Sequence, residues 1–275
     1  MKLKPQSCSV HTHSTFCDGK HSLEEMLAAA YEVGVRYYGA SSHSWNPTGW
    51  DEGEMLPQNP VEYRRAILEQ REKWNGKMEV LLGIELDGTA GELPGEFDYW
   101  IGSIHYVRGR NGCYYPVDWD KAKLTACLND GFGGDGLAMM EAYYREVEAM
   151  AQRKPTILGH IDLIIKLNDA GEFFDEGDPR YREAALSALY VVDPAATLLE
   201  INTGIMSHGN RTQPYPAAFL LEEWQRMGGR IIITGDVHHK DHMVYAYDQA
   251  AEAARATGFT EASVLTLDGE KTYPL

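Results

Sequence analysis

Short apolar stretches alternate along this chain with longer segments in which apolar residues recur every three or four positions. The first pattern is typical of buried strands and the second of amphipathic helices. The predicted strands are a short one ending near Val10, followed by residues 35–41, 78–85, 99–105, 156–160, 197–202, 230–235 and about 263–267. The chain is therefore predicted to alternate between strands and helices over its whole length.

Helix start and stop signals support this alternation. Ser22 and Glu25 form a predicted capping box for the first helix, and Gly34 follows its end. Asn59-Pro60 and Asp178-Pro179 each combine a cap with a proline in the first turn. The first helix is predicted to bury Leu23, Leu27, Ala30 and Tyr31, and further helices are predicted near residues 118–128, 135–152, 214–227 and 243–257.

Repeated strand–helix units imply parallel strands with right-handed crossovers. Seven or eight units suit a closed or distorted β/α barrel better than an open sheet, although the pattern alone leaves the open sheet possible. The sequence contains no internal repeat and no long linker. We therefore expect one domain that spans residues 1–275.

Composition narrows the classes of partner. The formal net charge of −16 makes nucleic acid or an anionic membrane an unsuitable main partner. The four cysteines show no CxxC spacing, which favours reduced thiols, and neither a leader-like apolar segment nor a long apolar run is present. We expect a cytoplasmic protein that acts on a small molecule, and its oligomeric state is not readable from these features.

Candidate chemistry appears where the predicted strands end. Six of the ten histidines lie at these ends, together with carboxylates. The carboxyl ends of barrel strands converge on one face, where active sites form. The candidate metal ligands are His11, His13, His43, Glu85, His105, His160, Asp236 and His238, with Asp18 in the first loop.

Histidine and carboxylate without thiolate is a ligand set typical of hydrolytic metal centres. These residues are too many for one ion, so we expect two or three divalent metals that share a bridging carboxylate. Glu85 is the expected bridge because it ends a central strand. Closely spaced metals suit hydrolysis of a phosphate ester, since they activate water and neutralise charge on the phosphate and the leaving alkoxide.

The same residues carry a resemblance. HTHSTFCDG, the histidine that closes SSH, GIE, GSIH, LGHID and GDVH occur in the order and spacing of the polymerase-and-histidinol-phosphatase (PHP) family. The resemblance extends from about residue 7 to beyond residue 240. It implies a distorted TIM barrel of the (β/α)7 type with a trinuclear centre of zinc, manganese or iron at the carboxyl ends of the strands.

The resemblance also implies a role for each ligand. Three ions would be held by His11, His13, Glu85 and Asp236; by Glu85, His105 and His160; and by Asp18, His43 and His238. Some family members have histidine where this chain has Asp18. We expect Glu85, Asp236 and His238 to take part in catalysis as well.

Within the family, GHIDLIIK, LEINTG followed by Arg211 and Tyr215-Pro216, and the long insert after GSIH are similar to the histidinol-phosphatase branch. That branch hydrolyses L-histidinol phosphate in histidine biosynthesis. The expected function is therefore a histidinol-phosphatase-like phosphomonoesterase. Another phosphate ester, such as a nucleotide or a sugar phosphate, and a non-catalytic regulatory module are the alternatives.

Two further points bear on the site. Arg211 follows a strand end and is expected to bind the substrate phosphate, whereas Lys166 and Arg108 are expected to be surface groups. The family commonly has Thr-Asp-His where this chain has Ser41-Ser42-His43. Loss of that aspartate removes a group next to the metals, which bears on metal affinity and on substrate choice.

Overall fold

Twelve strands and eight α-helices are present in the part of the chain that a computed structural model describes, residues 2–50, 60–92, 95–207, 209 and 211–275. The strands are β1 (Cys8–Ser9), β2 (Tyr37–Ala40), β3 (Glu79–Leu82), β4 (Glu85–Asp87), β5 (Ile101–Ser103), β6 (Tyr106–Arg108), β7 (Tyr114–Pro116), β8 (Ile157–Leu158), β9 (Leu198–Asn202), β10 (Arg230–Thr234), β11 (Glu261–Thr266) and β12 (Gly269–Pro274). The helices are α1 (Leu23–Glu32), α2 (Pro60–Trp74), α3 (Lys121–Ala126), α4 (Gly136–Gln152), α5 (Pro179–Val191), α6 (Gly204–Ser207), α7 (Ala218–Arg226) and α8 (Tyr247–Ala256).

The parallel strands surround one axis. Strands β1, β2 and β3 pair in that order, and β4, β5, β8, β9 and β10 follow in a second sheet. His43 and Glu85 form a parallel bridge between the two sheets on one side, and Thr12 and Val237 form another on the opposite side. The His13 amide donates to the Val237 carbonyl at 2.9 Å, and the Val237 amide donates to the His11 carbonyl at 3.0 Å. The predicted distorted β/α barrel is confirmed.

The barrel is distorted at the segment that was predicted as one strand over residues 78–85. The chain pairs with β2 through β3, breaks at Gly83, and then pairs with β5 through β4. The side chains of Tyr63 and Tyr99 pack against this break. The Tyr63 hydroxyl donates to the Gly83 carbonyl at 2.9 Å, and a Cβ on Gly83 would lie 2.1 Å from the Tyr99 ring. Glycine is required at position 83 because the Tyr99 ring occupies the space that a side chain there would need.

Two hairpins were not predicted. Strands β6 and β7 form an antiparallel pair in the long insert after GSIH, for which no strand was predicted, and β12 pairs antiparallel with β11 at the end of the chain. Helix α7 begins at Ala218 rather than at residue 214. Tyr215 exchanges backbone hydrogen bonds of 3.0 and 2.9 Å with Asn202, so this backbone cannot also be helical.

The predicted caps behave as expected where they are described. The Glu25 amide donates to the Ser22 hydroxyl, the Glu25 carboxylate accepts from the Ser22 amide, and Gly34 has a φ of 97°. Asp178 caps α5 through the Arg180 amide at 2.8 Å, whereas Asn59 lies outside the described residues. The predicted buried face of α1 is wrong at Tyr31, which is 37% exposed; Met26 is buried instead.

No described helix is long and apolar enough to cross a membrane. The core packs α4, α5, α7 and α8 against the strands of the larger sheet, and a second apolar cluster lies under α1 and α2. These two cores fix the strands on both sides of the axis. The carboxyl ends of the parallel strands therefore meet in one fixed place.

Candidate metal centre

The structure brings together all nine side chains that were predicted as metal ligands. They follow the ends of parallel strands or begin the short strand after a break, as Glu85 does. His11, His13, Glu85 and His160 are almost completely buried. The other five, which are partly exposed, are Asp18, His43, His105, Asp236 and His238.

Glu85 lies in the middle of this cluster, and its two oxygens face different histidines. Oε2 is 3.2 Å from His11 Nε2 and 3.4 Å from His13 Nε2. Oε1 is 3.1 Å from His160 Nε2 and 3.4 Å from His105 Nε2. This division of the two oxygens is the geometry that a bridging carboxylate needs.

Asp236 and Asp18 lie on the cavity side of the cluster. Asp236 Oδ1 is 3.1 Å from His13 Nε2, and Asp18 Oδ2 is 3.1 Å from His238 Nε2. Asp236 has a φ of 47°, a left-handed conformation that aspartate tolerates better than most residues. The backbone conformation thus directs this carboxylate back over the strand ends.

Four groups of these side chains have ligand atoms close enough together to hold a metal ion. They are His13, Asp18, His43 and His238; His11, His13 and Asp236; His11, Glu85 and His160; and His43, Glu85 and His105. The predicted set Asp18, His43 and His238 falls within the first group. His160 and His105, which were predicted to share one ion with Glu85, appear in separate groups that both contain Glu85.

Several buried polar atoms of the cluster form no hydrogen bond of good geometry, although most of them lie 3.1–3.4 Å from one another. They are His11 Nε2, His13 Nε2, Asp18 Oδ1, Glu85 Oε2 and Asp236 Oδ1. A buried polar atom left without a partner costs about 1–3 kcal/mol, so proteins rarely leave several such atoms together. Divalent ions would satisfy all of them. The donor set, imidazole nitrogen with carboxylate oxygen, is also one that zinc, manganese and iron accept.

Two buried carboxylates that were not predicted orient the histidines. Glu200 Oε1 lies 2.5 Å from His11 Nδ1 and also accepts from the Thr234 hydroxyl at 2.6 Å. Asp87 Oδ2 lies 3.2 Å from His105 Nδ1. Both contacts leave Nε2 directed at the cluster, as in metal sites whose ligands are fixed by neighbouring carboxylates. The available signal was a carboxylate inside an apolar strand, TLLEIN and GIELD.

The cluster shifts the pKa of its own members. Burial alone would raise the pKa of Glu85, but His11, His43 and His105 outweigh it and hold the pKa well below its usual range. Burial, together with His238 and His43, lowers the pKa of His13 to about 3. An ionised Glu85 and a neutral His13 are the states in which these two groups bind metals. Despite burial, the neighbouring carboxylates raise the pKa of His11, His43, His105 and His238, so metal binding would displace protons from these rings.

A cavity of about 520 Å³ opens above the cluster. Asp18, His43, His105, Asp236 and His238 form its floor. Its walls include Tyr106, Asp118, Trp119, Lys166 and Tyr215. Lys166 was expected at the surface, but its side chain is 23% exposed and its Nζ lies 3.1 Å from Asp118 Oδ2.

Arg211 has partners other than a phosphate site. Its Nη2 donates to Glu176 Oε1 at 2.7 Å, to the Ile165 carbonyl at 2.6 Å and to the Asn168 carbonyl at 3.1 Å. It is absent from the described lining of the cavity. The guanidinium thus joins its own loop to the loop that carries Lys166. The phosphate-binding role predicted for Arg211 finds no support in this geometry.

The two serines at the Ser41-Ser42 departure differ in their hydrogen bonds. The Ser41 hydroxyl accepts from the Thr12 amide at 3.0 Å, whereas Ser42 Oγ is buried without a hydrogen-bond partner.

Cys17 Sγ lies 3.4 Å from His13 Nδ1, and no cysteine occurs in the ligand groups found among the described residues.

Comparison with known proteins finds a family match and a named relative. Residues 9–204, more than two thirds of the chain, match the family profile described as PHP domain. A relative from Schizosaccharomyces pombe named "Probable histidinol-phosphatase" is 23% identical over 273 residues, which cover 92% of this chain and 87% of that protein.

Two crystal structures share the fold. One is a proposed histidinol phosphatase, hisK, from Listeria monocytogenes, with a TM-score of 0.73 and 20% identity; the match covers 88% of this chain and 98% of that chain. The other is histidinol phosphate phosphatase from Lactococcus lactis, in complex with zinc, L-histidinol and phosphate. Its TM-score is 0.72 at 18% identity, and the match covers 97% of this chain and 99% of that chain.

Proposed function

This chain belongs to the PHP domain family, and we propose that it is a metal-dependent phosphomonoesterase that hydrolyses L-histidinol phosphate to L-histidinol and phosphate. The observation that carries the proposal is the cluster of six histidines and three carboxylates around Glu85, at the floor of a cavity of about 520 Å³. The name of the S. pombe relative and the L-histidinol and phosphate bound in the L. lactis protein support this substrate.

The cluster has enough ligand atoms for two or three divalent ions. On the family resemblance, we propose His11, His13, Glu85 and Asp236 for the first, Glu85, His105 and His160 for the second, and Asp18, His43 and His238 for the third. The groups of close ligand atoms support the third set, whereas they place His105 and His160 in separate groups that both contain Glu85. Zinc, manganese and iron all suit this donor set. When bound, such ions supply the Lewis acidity that activates water and neutralises charge on the phosphate.

The protein's own residues hold the metal ligands in place and orient them toward the substrate. Asp236 and His238 line the cavity, so they are placed to contact the ester, whereas Glu85 lies buried beneath them. These three are the proposed catalytic residues. Glu200 and Asp87 fix the rings of His11 and His105, so that both Nε2 atoms are directed at the centre before substrate arrives.

Three lysines line the cavity, Lys20, Lys123 and Lys166, and we propose Lys166 for the substrate phosphate because it is the least exposed of them. It lines the cavity, and its neighbour Asp118 holds its pKa above the usual range despite burial. It therefore stays charged over the whole physiological range. In a chain with a net charge of −16, a fixed cation beside the metal cluster offsets the repulsion of an anionic ester.

The domain assignment goes beyond the matched segment. The family match ends at residue 204, but Asp236 and His238 come from the segment after it and lie among the ligands of the earlier strands. We therefore propose that residues 1–275 act as one domain. The cytoplasmic location stays a prediction.

The test is phosphate release from L-histidinol phosphate beside a panel of nucleotide and sugar phosphates, with Mn²⁺ or Zn²⁺ added. Strong preference for L-histidinol phosphate is the expected result. Comparable or faster hydrolysis of another ester would keep the phosphatase and discard the substrate. Failure to hydrolyse any ester, in protein shown to contain its metals, would instead favour a regulatory role.

A further inference from the structure

The wall of the cavity beside the ligand cluster contains a carboxylate that the proposed reaction leaves unused. Asp118 precedes α3 and lines the cavity with Tyr106, Trp119 and Lys166. Its side chain is only 14% exposed. A buried carboxylate in the substrate cavity of an enzyme for phosphate esters is unexpected, because it repels the phosphate.

Only one of the two oxygens of Asp118 has a partner. Oδ2 accepts from Lys166 Nζ at 3.1 Å, whereas Oδ1 is buried without a hydrogen-bond partner. Burial raises the pKa of Asp118, but Lys166 outweighs it, so that the pKa lies below the usual value. The carboxylate therefore stays ionised, with one oxygen ready to accept a hydrogen bond.

The neighbouring carboxylate in the same wall is already occupied. Asp120 caps α3 through the Lys123 amide at 2.8 Å, and its Oδ2 pairs with Lys123 Nζ at 2.8 Å. Lys123 also lies over the Trp119 ring, 5.0 Å from its centroid. Asp118 is thus the carboxylate of this wall that retains an unpartnered oxygen.

The pair of Lys166 and Asp118 presents a positive and a negative charge side by side. A complementary substrate carries an anion and a cation with the same close spacing. L-Histidinol phosphate has this pattern, because its ammonium group is on the carbon next to the one that bears the phosphate ester. A neutral alcohol phosphate satisfies Lys166 alone and leaves Asp118 Oδ1 buried without a partner, which is unfavourable.

We propose that Asp118 is a specificity-determining residue that selects phosphate monoesters of amino alcohols by accepting a hydrogen bond from the ammonium group of the substrate. Lys166 binds the phosphate of the same molecule. This inference rests on the proposed phosphatase function and adds the substrate class that the site prefers. It predicts discrimination by the charge of the alcohol part rather than by its ring.

The test uses two esters that differ only in the amine, L-histidinol phosphate and 3-(imidazol-4-yl)propyl phosphate. The wild-type protein is expected to have a kcat/KM about 10- to 100-fold higher for the amino ester, the effect of one hydrogen bond to a charged group. Equal values for the two esters in the wild-type protein would overturn the inference, while hydrolysis of both would leave the phosphatase function standing.

The variant Asp118→Asn separates this role from a structural one. It is expected to bring the ratio of the two kcat/KM values close to one. Any change in Lys166 acts on both esters, since both carry phosphate, and so leaves the ratio unchanged. A ratio that stays at the wild-type value would overturn the inference, as would an equal loss on both esters.

Asp120→Asn is the matched control. It places the same substitution two positions away on the same wall, and asparagine still caps a helix. The ratio of the two esters is expected to stay within about twofold of wild type, since the cap is kept. If Asp120→Asn alters the ratio as much as Asp118→Asn, the selection reflects the general negative charge of the wall and the assignment to Asp118 is wrong.

Discussion

Two adjacent layers of the barrel interior differ in whether their buried polar groups form hydrogen bonds within the protein. In the lower layer the Tyr99 hydroxyl donates to the Val10 carbonyl at 2.5 Å, and its ring packs where Gly39 and Gly83 leave space. One residue further along the strand, the buried His11 Nε2 and Glu85 Oε2 lie 3.2 Å apart without a hydrogen bond of good geometry. The lower layer is complete as a protein core, whereas the upper layer needs ligands that the protein does not supply.

The comparison explains why substitutions in the two layers should differ in kind. A polar group that is satisfied within the protein contributes to folding, and its loss lowers stability. A polar group kept unsatisfied for a metal contributes to binding, and its loss lowers metal content and activity.

Metal removal should have the largest effect. Dialysis against a chelator is expected to abolish phosphate release, because the metals supply the activation of water. Addition of Zn²⁺ or Mn²⁺ should restore it. The measurement is phosphate release before chelation, after it, and after metal is returned; turnover that persists in metal-free protein would contradict the account.

Glu85→Gln should lower kcat by about 100- to 1,000-fold, the scale seen when one electrostatic contact to a reacting centre is removed. The amide keeps the shape of the side chain but cannot bridge cations with two anionic oxygens. Steady-state kinetics together with elemental analysis measure the effect. Glu69→Gln, on the exposed face of α2, is the control and should behave like wild type. If Glu85→Gln also behaved like wild type, Glu85 would not be part of the metal centre.

Glu200→Gln should have a smaller effect, since Glu200 acts through His11. A loss of about 10- to 100-fold in metal affinity is expected, as for other carboxylates that orient a histidine ligand. Titration of metal-free protein with Zn²⁺ measures it. At saturating metal most of the activity should return, and a permanent loss would mean that Glu200 contacts the reaction directly.

Tyr99→Phe should leave metal content and turnover unchanged. Removal of the hydroxyl leaves the Val10 carbonyl without this hydrogen bond inside the barrel, at a cost of about 1–3 kcal/mol in the free energy of unfolding. Denaturant unfolding measures the cost. If this variant instead loses metal, the two layers are coupled and the distinction drawn between them fails.

The ligand residues of the upper layer could be predicted from the sequence more fully than the structure around them, and the reason is physical. A ligand at a strand end is identified by its residue type and by the apolar run before it, so the positions of His43 and His105 could be read directly. The barrel follows from alternating strands and helices in the same way. The ligand assignments themselves stay predictions until metal is measured.

Other features depend on contacts that no local pattern encodes. The break at Gly83 depends on the rings of Tyr63 and Tyr99, which come from other parts of the chain. The β6–β7 hairpin carries no alternation that distinguishes it from a loop. In the sequence, Arg211 and Lys166 are both cations that follow a predicted strand. Only the structure separates their roles, because Arg211 binds Glu176 and two backbone carbonyls, whereas Lys166 binds Asp118 in the cavity wall.

The most direct test of the central claim is to count metal ions by elemental analysis in wild-type protein and in His160→Ala, alongside phosphate release from L-histidinol phosphate. The account predicts two or three divalent ions per wild-type chain, fewer in His160→Ala, and activity that falls with the metal content. An unchanged metal count in the variant would contradict the ligand assignment. Full activity in a wild-type chain that contains no metal would contradict the claim that the unsatisfied layer exists to bind it.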